Sequence, residues 1–217
     1  MSSTWPRVAI RLSAAASLAY LLCPNSAPLP LEVALKGLSV TLLAAAAWTA
    51  GRSLLALGLL LSSLGDVLLA CGNRFFVPGL AAFLCAHLVY VAVFLRRGPR
   101  PTPAPARFAF PLVVLLYGLT FAAWLAPSLG PLRLPVFCYI AAILAMVAAA
   151  HRAYYANRSV LLGAVLFLFS DSLLGANRFK TPIPLAGFLI WTTYYAGQFA
   201  ITRGVCSPAA RNLKPRP

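Results

Sequence analysis

Eight apolar runs of about bilayer-spanning length follow one another along this chain, and that rhythm leaves few folds open. They cover residues 7–23, 33–50, 53–71, 76–95, 108–126, 133–150, 159–176 and 183–203. About 20 mostly apolar residues cross the hydrocarbon core as a helix, because each backbone N–H and C=O must be satisfied within its own segment. Breakers separate the runs: Cys23-Pro24-Asn25-Ser26, Gly98-Pro99-Arg100-Pro101, Ala126-Pro127-Ser128 and Thr181-Pro182. The expectation is an all-α polytopic transmembrane bundle of eight helices, forming a single transmembrane domain over 1–217. The first run has no small-x-small cleavage site, and Tyr20-Leu21-Leu22 before Cys23 is too bulky for a lipoprotein signal, so it reads as a helix. A content of 61% hydrophobic and 10% charged residues agrees with this class.

A net charge of +15 invites a nucleic-acid reading, but the cations are scattered between apolar runs and form no basic domain. They sort by side instead. Arg7, Arg11, Arg52, Arg96, Arg97, Arg100, Arg107, Arg152, Arg158, Arg203, Arg211, Lys214 and Arg216 fall on one side of an eight-span chain. Only Lys36, Arg74, Arg133, Arg178 and Lys180 fall on the other. The positive-inside rule then places both termini, including a basic tail over 204–217, in the cytosol. The five cysteines lie in or beside apolar runs without metal spacing and read as small packing residues.

Three acids remain, Glu32, Asp66 and Asp171, and two of them sit inside apolar runs. A carboxylate at the centre of a membrane helix costs roughly 2.5–3.5 kcal/mol by insertion scales, so a chain that keeps one there is using it. The contexts match. Leu64-Gly65-Asp66-Val67-Leu68-Leu69 leads to Asn73-Arg74-Phe75, and Phe169-Ser170-Asp171-Ser172-Leu173-Leu174 leads to Asn177-Arg178-Phe179. Each repeat reads as a helix carrying an acid, an Asn-Arg-Phe turn and another apolar helix. Four helices per unit give two parallel repeats, about 1–100 and 101–205, with a site expected at their interface. At 1.5 Å per residue, Asp66 is about 20 Å along its helix from Ser53 and Asp171 about 18 Å from Ser159.

These motifs, with Lys36 near the start of the second helix and Tyr194-Tyr195-Ala196-Gly197-Gln198 in the eighth, resemble the lysoplasmalogenase (YhhN-type) family of eight-helix membrane proteins. The likeness covers roughly residues 8–203. Gly37 departs from it, since proline is expected after Lys36. The resemblance implies hydrolysis of the vinyl-ether bond of lysoplasmalogens to a fatty aldehyde and glycerophosphocholine or glycerophosphoethanolamine. It also implies, for vertebrate forms, a multi-pass protein of the endoplasmic reticulum membrane. The implied partners are a lysophospholipid substrate and membrane lipid, with room for a homodimer and none for nucleic acid. No cofactor and no metal are expected.

Two carboxylates suit that chemistry. Protonating the outer vinyl carbon leaves an oxocarbenium ion, the kind of species glycosidases handle with one carboxylic acid and one carboxylate. A pair of buried carboxyls can share one proton and so present an acid and a base together. Asp66 and Asp171 are therefore the candidate catalytic residues. The alternative is that they only pack, neutralised by Lys36 or Arg74. His87 reads equally as a proton relay or an interhelical hydrogen bond, with Tyr90 one turn on. Lys36, Arg74 and Arg178 are candidates for a lipid phosphate, against plain snorkelling. Asn73 and Asn177 belong to the repeated turns. Trp191, Tyr194 and Gln198 follow i, i+3, i+7 on one face, with Tyr195 beside it. Two histidines cannot build a multi-histidine zinc site. A proton-coupled transporter using the two acids as carriers, and a lipid-binding scaffold without turnover, are the competing classes.

Overall fold

The computed structural model describes residues 5–23, 28–101, 103–155 and 158–207. The turn residues Pro24, Asn25 and Ser26, Thr102, part of the 151–158 loop and the tail beyond Ser207 lie outside it. Among the described residues the chain is all-α, with eight long helices and no strand. They are α1 (Trp5–Leu22), α2 (Leu29–Thr49), α3 (Ser53–Ala70), α4 (Phe76–Leu95), α5 (Ala104–Leu125), α6 (Arg133–Arg152), α7 (Ser159–Phe179) and α8 (Ala186–Cys206).

Six of the spans are long and apolar enough to cross a membrane by length and composition: Leu29–Thr49, Ser53–Ala70, Asn73–Leu95, Arg107–Ser128, Gly130–Arg152 and Ser159–Phe179. The helices α1 and α8 are more polar, yet several of their uncharged polar side chains turn inward. Ser13 and Ser17 of α1 are buried, as are Gln198 and Thr202 of α8. Ser13 Oγ donates to Ser39 O of α2 at 2.5 Å, and Thr202 Oγ1 donates to Gln198 O at 2.8 Å. The first of these joins two helices, and the second satisfies the hydroxyl within its own helix, so neither polar group is left unpaired in an apolar setting.

Contacts group the chain into two units, Met1–Tyr90 and Val91–Pro217. In the first, α2 packs on α1 and α3. In the second, α7 is the hub, touching α5, α6 and α8. Glycine sets its closest approach. A Cβ on Gly163 of α7 would stand 2.6 Å from Gly197 O of α8, and one on Gly197 would stand 2.8 Å from Gly163 O. Only hydrogen fits between backbones this close.

Two expectations need correction. The paired Asn-Arg-Phe segments are not equivalent turns. Asn73–Phe75 is a 3₁₀ turn entered through Gly72, whose φ of 104° ends α3. Asn177-Arg178-Phe179 is instead the last turn of α7, which runs to Phe179 and stops just ahead of Pro182. The cysteines do not fill a core either: Cys71, Cys85 and Cys138 are exposed, and Cys23 and Cys206 half-buried. They sit on the outer faces of their helices, where a thiol is as compatible with lipid as any small apolar group.

Candidate functional site

The residues singled out by sequence fall in both units, and each unit holds one of the two candidate aspartates. In the first unit, Leu55, Leu59, Ser62, Ser63 and Asp66 share the buried face of α3. Their spacing of three and four residues stacks them along one side of a helix. Towards Asp66 that face turns polar. Ser63 Oγ donates to Gly37 O of α2 at 2.9 Å and lies 2.9 Å from Thr41 Oγ1. Ser62 Oγ meets Tyr90 Oη of α4 at 3.5 Å. Asp66 is one turn further on and is 7% exposed. The glycine that stands in place of the expected proline also has a use here. A Cβ at Gly37 would lie 3.0 Å from Val67 Cγ2, so its absence lets α2 close on α3 beside the acid.

His87 and Tyr90 are fully buried on α4. His87 Nδ1 lies 2.6 Å from Phe83 O, and a carbonyl only accepts, so this nitrogen carries the proton. Lys36 sits in the second turn of α2. Its Nζ pairs with Glu32 Oε1 at 3.0 Å and stands 4.9 Å from the Tyr20 ring centroid. The third acid of the chain is thus the ion-pair partner of Lys36. Asn73 and Arg74 are exposed, and the Arg74 guanidinium lies over the Phe75 ring at 4.6 Å.

In the second unit, three consecutive residues of α7 reach three different helices. Ser170 Oγ donates to Ile190 O of α8 at 3.0 Å. Asp171 Oδ2 accepts from Tyr139 Oη of α6 at 2.5 Å. Ser172 Oγ accepts from Tyr117 Oη of α5 at 2.7 Å, while donating to Leu168 O at 2.7 Å. Successive residues on a helix point about 100° apart, so a Ser-Asp-Ser run at the hub touches every neighbour. Asp171 itself is half-buried.

Tyr139 is the residue that sequence reasoning missed. Its signal was present: Val136, Tyr139, Ile143 and Met146 are buried at helical spacing, so the ring lies on the core face of α6. On α8, Trp191, Tyr194 and Gln198 are buried along one side and Tyr195 is half-buried. Gln198 Nε2 donates to Tyr194 Oη at 3.3 Å, and Tyr194 meets Phe167 of α7 edge-on at 5.0 Å. Trp191 stacks near Tyr195 at 6.3 Å. Asn177 Oδ1 accepts from Ile183 N at 2.8 Å and so closes the turn into α8, while Arg178 is exposed. Among the described residues, no three His, Cys, Asp or Glu side chains gather as a metal site.

Comparison with known proteins places this geometry. The profile of the YhhN family matches residues 31–205, a stretch that includes both Asp66 and Asp171. A protein of Mycobacterium bovis named lysoplasmalogenase is 36% identical over 182 residues, covering 80% of this chain and 70% of that one. The human lysoplasmalogenase TMEM86B is 35% identical over 145 residues, covering 66% of this chain and 59% of its own. The bovine lysoplasmalogenase TMEM86A is 33% identical over 156 residues, with coverage of 66% and 61%. No solved structure matches the chain.

Proposed function

The chain belongs to the YhhN family, and from that premise we infer that it is a lysoplasmalogenase, a membrane hydrolase of the vinyl-ether bond of 1-alkenyl lysophospholipids. The observation that carries this reading is the likeness to bacterial and mammalian lysoplasmalogenases, together with the family profile match over 31–205, which includes both acids. The products are a fatty aldehyde and glycerophosphocholine or glycerophosphoethanolamine.

In the mechanism we propose, Asp66 and Asp171 supply the acid and the base. The acid gives its proton to the outer vinyl carbon, and positive charge develops on the carbon bonded to oxygen. Water adds there as the carboxylate takes up a proton. The hemiacetal then breaks its carbon–oxygen bond to glycerol. The carboxyl protonated in the previous step gives its proton to the leaving oxygen, which departs as the alcohol. The first carboxyl, now ionised, takes the hydroxyl proton as the chain leaves as the aldehyde, so both groups are restored. The Tyr139 hydroxyl supports this reading by fixing the orientation of the Asp171 carboxylate. Preorganised polar groups of this kind cost little reorganisation when charge develops. Arg74 and Arg178, both exposed, are the residues we propose meet lipid phosphate. For the membrane, the asymmetry of positive charge supports cytosolic termini. Likeness to mammalian relatives supports the endoplasmic reticulum where a cell has one. The relatives carry enzyme names, which favours the hydrolase over the proton-coupled transporter.

The test is aldehyde release when purified protein meets 1-alkenyl lysophospholipid in detergent. In ¹⁸O-labelled water the glycerophospho product should stay unlabelled. A heavy product means displacement at the glycerol carbon and rules the oxocarbenium route out. Absence of aldehyde overturns the assignment itself.

A further inference from the structure

Away from the carboxylates, the second unit holds a cleft of about 300 Å³ where α7 begins. Arg100, His151, Arg158, Tyr155, Phe110 and Val160 line it. Ser159 opens α7 twelve residues before Asp171, which puts about 18 Å of helix between the cleft and that acid. The segment before α5 and the segment after α6 are clamped together to form it. Pro99 and Ala153 pair as an antiparallel bridge, and Tyr154 N donates to Gly98 O at 3.2 Å. Arg100 N donates to Arg152 O at 2.7 Å. Arg100 Nη2 donates to Tyr155 O at 2.9 Å, and the His151 ring stacks on Phe110 at 4.5 Å.

The charge around the cleft is all of one sign. Arg96, Arg97, Arg100, Arg152 and Arg158 crowd the two segments, and the acid of the same unit, Asp171, lies about 18 Å of helix away. Arginines that only set topology can point anywhere into water. Arg100 is instead held by its backbone and by its guanidinium, and it shares a concave wall with Arg158 and an imidazole. A rigid guanidinium fork matches phosphate oxygens. Basic pockets at the cytosolic ends of membrane helices take anionic headgroups.

We propose that this cleft binds a phosphate-bearing anion, carried on a phospholipid headgroup or free in solution. It lies apart from Asp171 and does not depend on the activity inferred for the carboxylates.

The experiment follows thermal unfolding of the purified full chain in uncharged detergent. The titrants are dioctanoyl phosphatidylglycerol, dioctanoyl phosphatidylcholine and sodium phosphate, the last against sodium chloride of equal ionic strength. Ligands that bind only the folded state raise the melting temperature with concentration, which gives an apparent Kd. Phosphatidylglycerol or phosphate should stabilise the protein in a way that depends on Arg158, and phosphatidylcholine, which carries no net charge, should shift it less and independently of Arg158. The shift should shrink with added salt. Stabilisation by phosphatidylglycerol alone assigns the headgroup; an equal shift with inorganic phosphate assigns the free ion. Arg158→Gln, at an exposed side chain, should weaken the apparent affinity about tenfold, as expected for one hydrogen bond to a charged group. Arg133→Gln, exposed at the far end of α6, should leave it unchanged. Equal stabilisation by phosphatidylcholine, no stabilisation by either anion, or an unchanged response in Arg158→Gln overturns the proposal.

Discussion

At the scale of residues, the reading rests on two acids and one phenol. Asp66→Asn and Asp171→Asn keep side-chain size but lose proton transfer. Each should lower aldehyde release by about 10²–10⁴-fold, the usual contribution of general acid–base groups. Gel filtration and helical circular dichroism should be unchanged; a variant keeping a tenth or more of the wild-type rate removes that acid from the mechanism. Tyr139→Phe is the sharper test, because it deletes only the hydroxyl that reaches Asp171 at 2.5 Å. A hydrogen bond to a charged group is worth about 1.5–3 kcal/mol, so the rate should fall on the order of tenfold or more. If turnover is unaffected, the hydroxyl has no part in positioning the carboxylate. Both acids were legible in sequence because a carboxylate among leucines is costly and therefore conspicuous. Tyr139 was less so, since a tyrosine in an apolar helix is ordinary packing until its partner is known.

At the scale of elements, the repeat predicts like motifs, and local backbone chemistry splits them. Gly72 at φ 104° forces a break after α3, whereas Ala176, which precedes the second Asn-Arg-Phe as Gly72 precedes the first, stays helical and carries Asn177 and Arg178 into the last turn. The contact between α7 and α8 is the element-scale feature most open to test. Gly163→Ala would set a methyl against backbone at Gly197 and Ile201, neither of which can swing aside. A loss of about 1–3 kcal/mol is expected for such overpacking, read as a lower melting temperature in detergent. Gly187→Ala, in the first turn of α8, meets nothing within 4 Å. It should be neutral or slightly stabilising, because alanine is the better helix former. Equal melting temperatures for the two variants would remove the close backbone contact as a source of stability.

For the whole molecule, orientation is the property most exposed to experiment. Single-cysteine labelling at positions 102 and 210 should report the cytosolic side, and at 27 and 180 the opposite side. Of these, Lys180 lies within the described residues, just after α7. Cytosolic labelling at 180 would overturn the inferred number of crossings. The existence and order of eight helices, and their ends to within about four residues, could be read from residues alone, and for a physical reason. In lipid a helix satisfies its own backbone, so its presence is a local property of about 20 consecutive side chains. Partnership is not local. Which way Ser170, Asp171 and Ser172 point, that Lys36 meets Glu32, and that Arg100 is held by the carbonyl of Tyr155 all depend on how helices rotate and approach one another. Those rotations are set where small residues such as Gly37, Gly163 and Gly197 let backbones close, and that information appears only when both surfaces are present together.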